Sequence, residues 1–194
     1  MPSAPLTDGS ITSQRQEGPA WPSLISAIAI MGKSENHDQP VIKQTHVHEE
    51  GQLVYASAEV VAVGEVDGYW VVPPTRAVWL PPGVSHWARS SANVRLRTVL
   101  VANGNNLGMP EKSCVVLVPP VMREIIIALT EKPVHQPQSE IDVAMMRLLA
   151  LHITENPILP LHLPALRDRR LVLIEQHVLS KPHERIPLPN GPVG

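Results

Sequence analysis

The sequence predicts a β module of about 80 residues followed by a helical region of about 60 residues. Three observations predict it. Short runs rich in Val, Trp and Tyr follow one another between residues 41 and 118. Gly68, Pro73-Pro74 and Pro81-Pro82-Gly83 break those runs at short intervals. After Pro119-Pro120 the apolar period switches from two to about 3.6.

Taken in order, residues 1 to about 20 are polar and rich in Gly, Ser, Gln and Pro, which suits a flexible arm. "LISAIAIMG" (24–32) reads as a strand or as one helical turn, and "KSENHDQP" (33–40) as a loop. Residues 1–40 are thus an arm with a first strand. The barrel-forming region is 41–118. Its strands are "QLVYAS", "EVVAVGEV", "GYWVVPP", "RAVWLPP", "VRLRTVLVA" and "CVVLVP". Strands this short, at this spacing, indicate a sandwich or barrel.

Residues 119–180 read as helices. "VMREIIIALTEK" sets Val121, Ile125, Ile126 and Leu129 on one face, and Pro120 suits a helix start because its missing donor would be unpaired there anyway. Ser139 offers an N-cap with Asp142 three residues on. The following stripe is Ile141, Met145, Leu148, Leu149 and His152. A third helix is expected from Pro164 to Pro182, carrying Leu166, Leu171, Ile174 and Val178. The tail, 181–194, is too rich in proline to be helical and reads as disordered.

Composition excludes several classes. The 194 residues are 43% apolar and 18% charged, as in ordinary globular proteins. Net charge is -2, which offers no electrostatic footprint for nucleic acid. No apolar run is long enough to span a membrane, and the N-terminus lacks the basic start and apolar stretch of a secretory signal. The single cysteine, Cys114, excludes an internal disulfide and lies in an apolar run, as a buried thiol does. A reducing cytoplasm fits best.

The chemistry concentrates in "HVHEEGQ" (46–52) and "PPGVSH" (81–86). On one strand, His46 and His48 would face the same way, about 7 Å apart. Gln52 has the matching parity if the strand runs without a bulge. Alone, a His-x-His pair is as compatible with a polar strand entry. The Pro-x-Gly turn can deliver His86 onto a neighbouring strand, where three imidazoles and an amide would meet. Such a set suits zinc, nickel or iron, with a position left open for another ligand. The other reading is a hydrogen-bonded polar pocket.

These two segments resemble the paired motifs of the cupins. "HVHEEGQLVYAS", "WVVPPTRAVWLPPGVSHWAR" and "VRLRTVLV" are similar to the N-terminal, effector-sensing domain of AraC-type transcription regulators. "CVVLVPPVMREIIIAL" and "LPALRDRRLVLIEQHVL" fall where that family has its dimerising helices. The resemblance covers residues 41 to about 180. It implies a cupin-like double-stranded β-helix barrel followed by a small helical dimerisation region. It also implies that His46, His48, Gln52 and His86 sit at the cupin ligand positions, whether or not a metal is bound.

A small effector would bind in the barrel, with Tyr55 and Trp79 as further wall candidates. The dimer would form through Leu171, Ile174 and Val178. DNA would be reached only through a helix-turn-helix region, for which residues after Leu179 are too few; the basic cluster 167–170 reads instead as a solvated helix face. Two departures stand out. Glu59 occupies a position where the first motif usually has a turn glycine, and Ser90 one where the second often has asparagine. The runner-up function is a small metal-dependent enzyme, a dioxygenase or isomerase using His46, His48 and His86. Gln52 counts against it, because an amide is a weaker ligand and poorer base than a carboxylate.

Overall fold

The computed structural model describes residues 30–102, 108–131, 139–155 and 163–164. Among these residues ten strands are present: β1 Ile30–His37, β2 Val41–His46, β3 Gly51–Ala58, β4 Val61–Glu65, β5 Gly68–Val72, β6 Arg76–Leu80, β7 His86–Ser90, β8 Val94–Val101, β9 Cys114–Leu117 and β10 Leu163–Pro164. Two helices follow the main strands, α1 Pro120–Glu131 and α2 Glu140–Glu155. The strands form two five-stranded antiparallel sheets, ordered β1-β8-β3-β6-β9 and β10-β5-β4-β7-β2. This is the cupin-like barrel with a small helical region that the motifs imply.

Alternation along the strands divides the apolar residues into two cores. Val54 and Ala56 of β3, Val78 and Leu80 of β6, and Leu96 of β8 face Val61, Val63, Trp70 and Val72 of the second sheet. These fill the space between the sheets. The opposite parity of the first sheet, including Leu53, Tyr55, Trp79 and Val99, packs under Met122, Ile126, Leu129, Met146 and Leu149 of the helices. Each such side chain, fully buried, contributes roughly 1.5–3 kcal/mol. The first sheet is therefore apolar on both faces, because it has a neighbour on each.

Several expectations need correction. Lys33–His37 is strand, not loop: β1 pairs with β8 from Ile30↔Val101 to His37↔Val94. The α1 face is Met122, Ile125, Ile126, Leu129 and Thr130, while Val121 is exposed. In α2 the buried stripe is Val143, Met146, Leu149, Ala150 and Ile153; Ile141 and Leu148 are exposed. A one-residue shift turns a helix by about 100°, so the face changes although the period is right. The Ser139 cap is present, with the Asp142 amide donating to Ser139 Oγ at 3.1 Å. The expected third helix, with Leu171, Ile174 and Val178, lies outside the described residues.

Backbone strain marks the β3–β4 turn. Glu59 sits at φ 64°, a left-handed conformation that costs a side-chain-bearing residue roughly 1–2 kcal/mol. This is the position at which the motif usually has glycine. Glu59→Gly removes that cost but adds chain entropy to the unfolded state. A net stabilisation of about 1 kcal/mol is expected, read as a rise of a few degrees in Tm by calorimetry.

Candidate functional site: three histidines at one end of the barrel

β2 and β7 lie side by side in the second sheet. Their register runs Val41↔Ser90, Ile42↔Arg89, Lys43↔Ala88, then shifts before pairing His46↔His86. Ala88 packs on the inter-sheet core, so His86 and Ser90, of the same parity, point inward with it. The irregularity between Lys43 and His46 keeps His46 on that inward side. β2 stops at His46, and His48 stands in the loop after it. The two histidines therefore do not share one strand, as the sequence suggested. The loop brings His48 back instead.

A hydrogen bond fixes that loop. The Gly83 amide donates to the His48 carbonyl at 2.8 Å. Gly83 has φ +76°, which glycine adopts without strain. The Pro-Pro-Gly turn thus ties the segment carrying His86 to the segment carrying His48. Ring centroids stand 4.4 Å apart for His46 and His86, 4.8 Å for His46 and His48, and 5.4 Å for His48 and His86. One ligand nitrogen from each ring falls within 4.8 Å of the other two.

The ring orientations suit a cation. His46 Nδ1 lies 2.6 Å from the Gln44 carbonyl, and His86 Nδ1 lies 2.9 Å from the Val84 carbonyl. A carbonyl only accepts, so in the neutral rings Nδ1 carries the proton and donates it. Nε2 is left with a free lone pair, the arrangement typical of metal-ligating imidazole. Gln52 enters from the opposite sheet, where β3 pairs it with Leu80. It shares the parity of Val54 and faces the barrel interior. Its Oε1 is buried and has no hydrogen-bond partner among the described residues. An orphaned buried acceptor costs about 1–3 kcal/mol. The three imidazole nitrogens form a donor set that fits zinc, nickel or iron, and the unpartnered Gln52 oxygen is a further oxygen donor on the barrel interior.

Other expected site residues lie elsewhere. Tyr55 and Trp79 belong to the sheet–helix core, on the far face of the first sheet from the histidines. The Tyr55 hydroxyl donates to the Pro74 carbonyl at 2.9 Å, and Trp79 Nε1 to the Pro110 carbonyl at 2.9 Å. Their polar atoms are engaged in holding connections to the sheet. Among the described tryptophans, Trp70 is the one in the barrel interior. Trp87 faces outward, with the Arg89 guanidinium 4.8 Å over its ring. Cys114 is buried, and burial pushes its thiol pKa up, so it is unreactive.

The sequence reading missed a charged seam beside the histidines. β1 and β2 are the facing edge strands of the two sheets. Glu35 pairs with Leu96 and Lys33 with Thr98, so both share the inward parity, as Lys43 does opposite Ala88. Lys43 Nζ donates to Glu35 Oε2 at 2.6 Å, and Lys33 Nζ lies 3.2 Å from Oε1. Burial raises the Glu35 pKa, but Lys43 and then Lys33 outweigh it, and the net value is lowered. The signal was present as the alternation Lys33, Glu35, His37. It was hidden because those residues read as a loop.

No protein-family model matches the chain. It is 30% identical over 119 residues to the HTH-type transcriptional regulator NimR of Escherichia coli (strain K12), a stretch that is 61% of this chain and 43% of that relative. The chain thus spans less than half the length of this curated relative. Among solved structures, an RmlC-like cupin from Shewanella frigidimarina aligns with 40% of this chain and 70% of its own, at TM-score 0.36 and 18% identity. ToxT from Vibrio cholerae, in its unsaturated fatty acid-bound form, aligns with 64% of this chain and 52% of its own, at TM-score 0.45 and 7% identity. The fold and the two histidine motifs define a cupin-type barrel. Over those 119 residues the chain is similar to a transcriptional regulator.

Burial lowers the pKa of His48 first and His46 next; Glu50 pulls it back, and Lys43 and Lys33 add smaller downward pushes. Burial likewise lowers His86, opposed by the Val84 carbonyl. Near and below pH 6.5, the ordinary value, the unfolded chain then binds more protons than the fold. The stability tied to these rings is intact above pH 6.5 and is lost as the pH falls below it. Chemical denaturation between pH 7.5 and 5.5 is expected to show this decline, and replacing both rings by glutamine to flatten it.

Proposed function

We propose that the chain is the ligand-sensing and dimerisation domain of an AraC-type transcription regulator, with a small effector bound beside His46, His48 and His86. The observation that carries this reading is the convergence of three imidazoles from two chain segments on one inward-facing point. The regulator relative supports it. A divalent metal, held by the three rings and Gln52, would supply a Lewis-acidic centre for the effector. His46 and His86 are pre-oriented for it by their carbonyl partners. The protein acts in the cytoplasm, and DNA is contacted through a helix-turn-helix region, not through the barrel. Among the described residues no helix is long and apolar enough to cross a membrane.

The mechanism is a population shift. Effector binding changes the contacts of residues 1–40 and of the segment 164–180, and so the way the paired DNA-binding regions are held. β1 links the first of these to the site, since Lys33 and Glu35 lie on it beside Lys43. The alternative is a metal-dependent dioxygenase or isomerase on the same three histidines. Their open geometry favours it, and the amide at Gln52 opposes it.

Two outcomes test the reading. Purified protein is expected to take up zinc or nickel near one equivalent, measured by elemental analysis after dialysis. His86→Ala is expected to weaken that uptake more than about 100-fold, since even outer partners of a ligand are worth 10–100-fold. Uptake unchanged in His86→Ala would remove the metal from the proposal. The second outcome concerns assembly. Leu171→Glu with Ile174→Glu is expected to convert a dimer to a monomer in sedimentation, leaving metal uptake as it was.

A further inference from the structure

We propose that Glu65 is a further residue of the effector site, where its carboxylate receives a protonated nitrogen, so that the effector is a small organic cation. The inference rests on the sensor reading above and names the chemical class of its ligand. β4 and β7 pair as far as Gly64↔Trp87, so the next residues, Glu65 and His86, stand opposite each other at the histidine end of the barrel. Side chains so placed have their Cβ atoms roughly 4.5–5.5 Å apart. Glu65 has the parity of Val61 and Val63, which face the packed interior, and His86 has that of Ala88. Both therefore point inward, in one row with His46. The two strands are held close here. The Trp87 indole covers the outer side of Gly64, where an added Cβ would fall 2.2 Å from the ring.

Glu65 lacks a donor. Its Oε1 is buried and accepts no hydrogen bond among the described residues. A buried acceptor left without a donor is costly, and more so when it carries charge. Gln52 Oε1, entering from β3 on the other sheet, is in the same state. His46 and His86 add acceptors, since each ties Nδ1 to a carbonyl and leaves Nε2 with its lone pair. Acceptors are thus in excess at this end of the barrel. With a metal on the rings and Gln52, Glu65 is the acceptor that remains. Lys33 and Lys43 do not serve it, because each is bonded to Glu35. A molecule that satisfies Glu65 brings N–H groups, and a positive charge on them strengthens the bond. The row ends at Gly68, opposite Glu65, which has no side chain to fill the space beside the carboxylate. Val63 and Trp70 close the barrel one layer further in, so the cation is compact.

Acetamidinium is the probe, with acetamide as its neutral counterpart of the same shape. Each is titrated into the purified protein while the backbone amide signals of residues 65 and 68 are followed by NMR. Acetamidinium is expected to shift them saturably, and acetamide to bind at least about tenfold more weakly. Glu65→Gln is expected to weaken acetamidinium by at least about tenfold, as loss of a charged hydrogen bond does. Glu65→Leu is expected to abolish the response and to leave Tm equal or a few degrees higher, because the orphaned oxygen is gone. Equal affinity for acetamide, acetamidinium affinity unchanged by Glu65→Gln, or a lower Tm in Glu65→Leu overturns the proposal. Failure of the sensor reading is seen separately, in metal uptake by the unaltered protein and in dimer assembly, neither of which involves the probe.

Discussion

The hydrogen bond from the Gly83 amide to the His48 carbonyl joins the two segments on which everything else at the site depends. It works together with the β2–β7 pairing. That pairing sets His46 beside His86, and the turn bond then fixes the loop that carries His48. Neither alone brings three rings to one point. Glycine suits residue 83 because it adopts φ +76° without the strain that a side chain would add.

The barrel solves a problem of polarity. Its interior must be apolar to hold the sheets together, yet it carries three imidazoles, an amide, two ammonium groups and a carboxylate. The polar groups are segregated. The histidines lie where β2 ends and β7 begins, and the charges lie along the β1/β2 edges, where part of each lysine still meets water. The packed centre, around Val61, Val63, Val72 and Val78, is apolar and fully buried. Charge near the edge of a core costs far less desolvation than charge at its middle.

The helices serve the first sheet and not the site. Met122, Ile126 and Leu149 cover the face opposite to the histidines, and Tyr55 and Trp79 are bound into that contact. The approach is close at Gly32, where an added Cβ would fall 2.0 Å from the Leu129 carbonyl oxygen. β1 is therefore held on one face by α1, while its other face carries Lys33 and Glu35. A change at the seam has a direct packed path to the helices through this strand.

Much was legible from residue order alone. Alternating Val-rich runs broken by Gly and Pro gave away a barrel, because side-chain direction in a strand has a period of two. The two histidine motifs held the three rings that the fold brings together, and Ser139 marked a helix start, because capping is a local interaction. Face assignment was less legible. The first sheet is buried on both sides, so Tyr55 and Trp79 carry no sign of which core they join. The exposed Ile141 and Leu148 show the same limit in a helix. The seam of Lys33, Glu35 and Lys43 was decided only in three dimensions. Those residues lie on the edge strands of two different sheets, and only the closing of one sheet over the other brings their charges together.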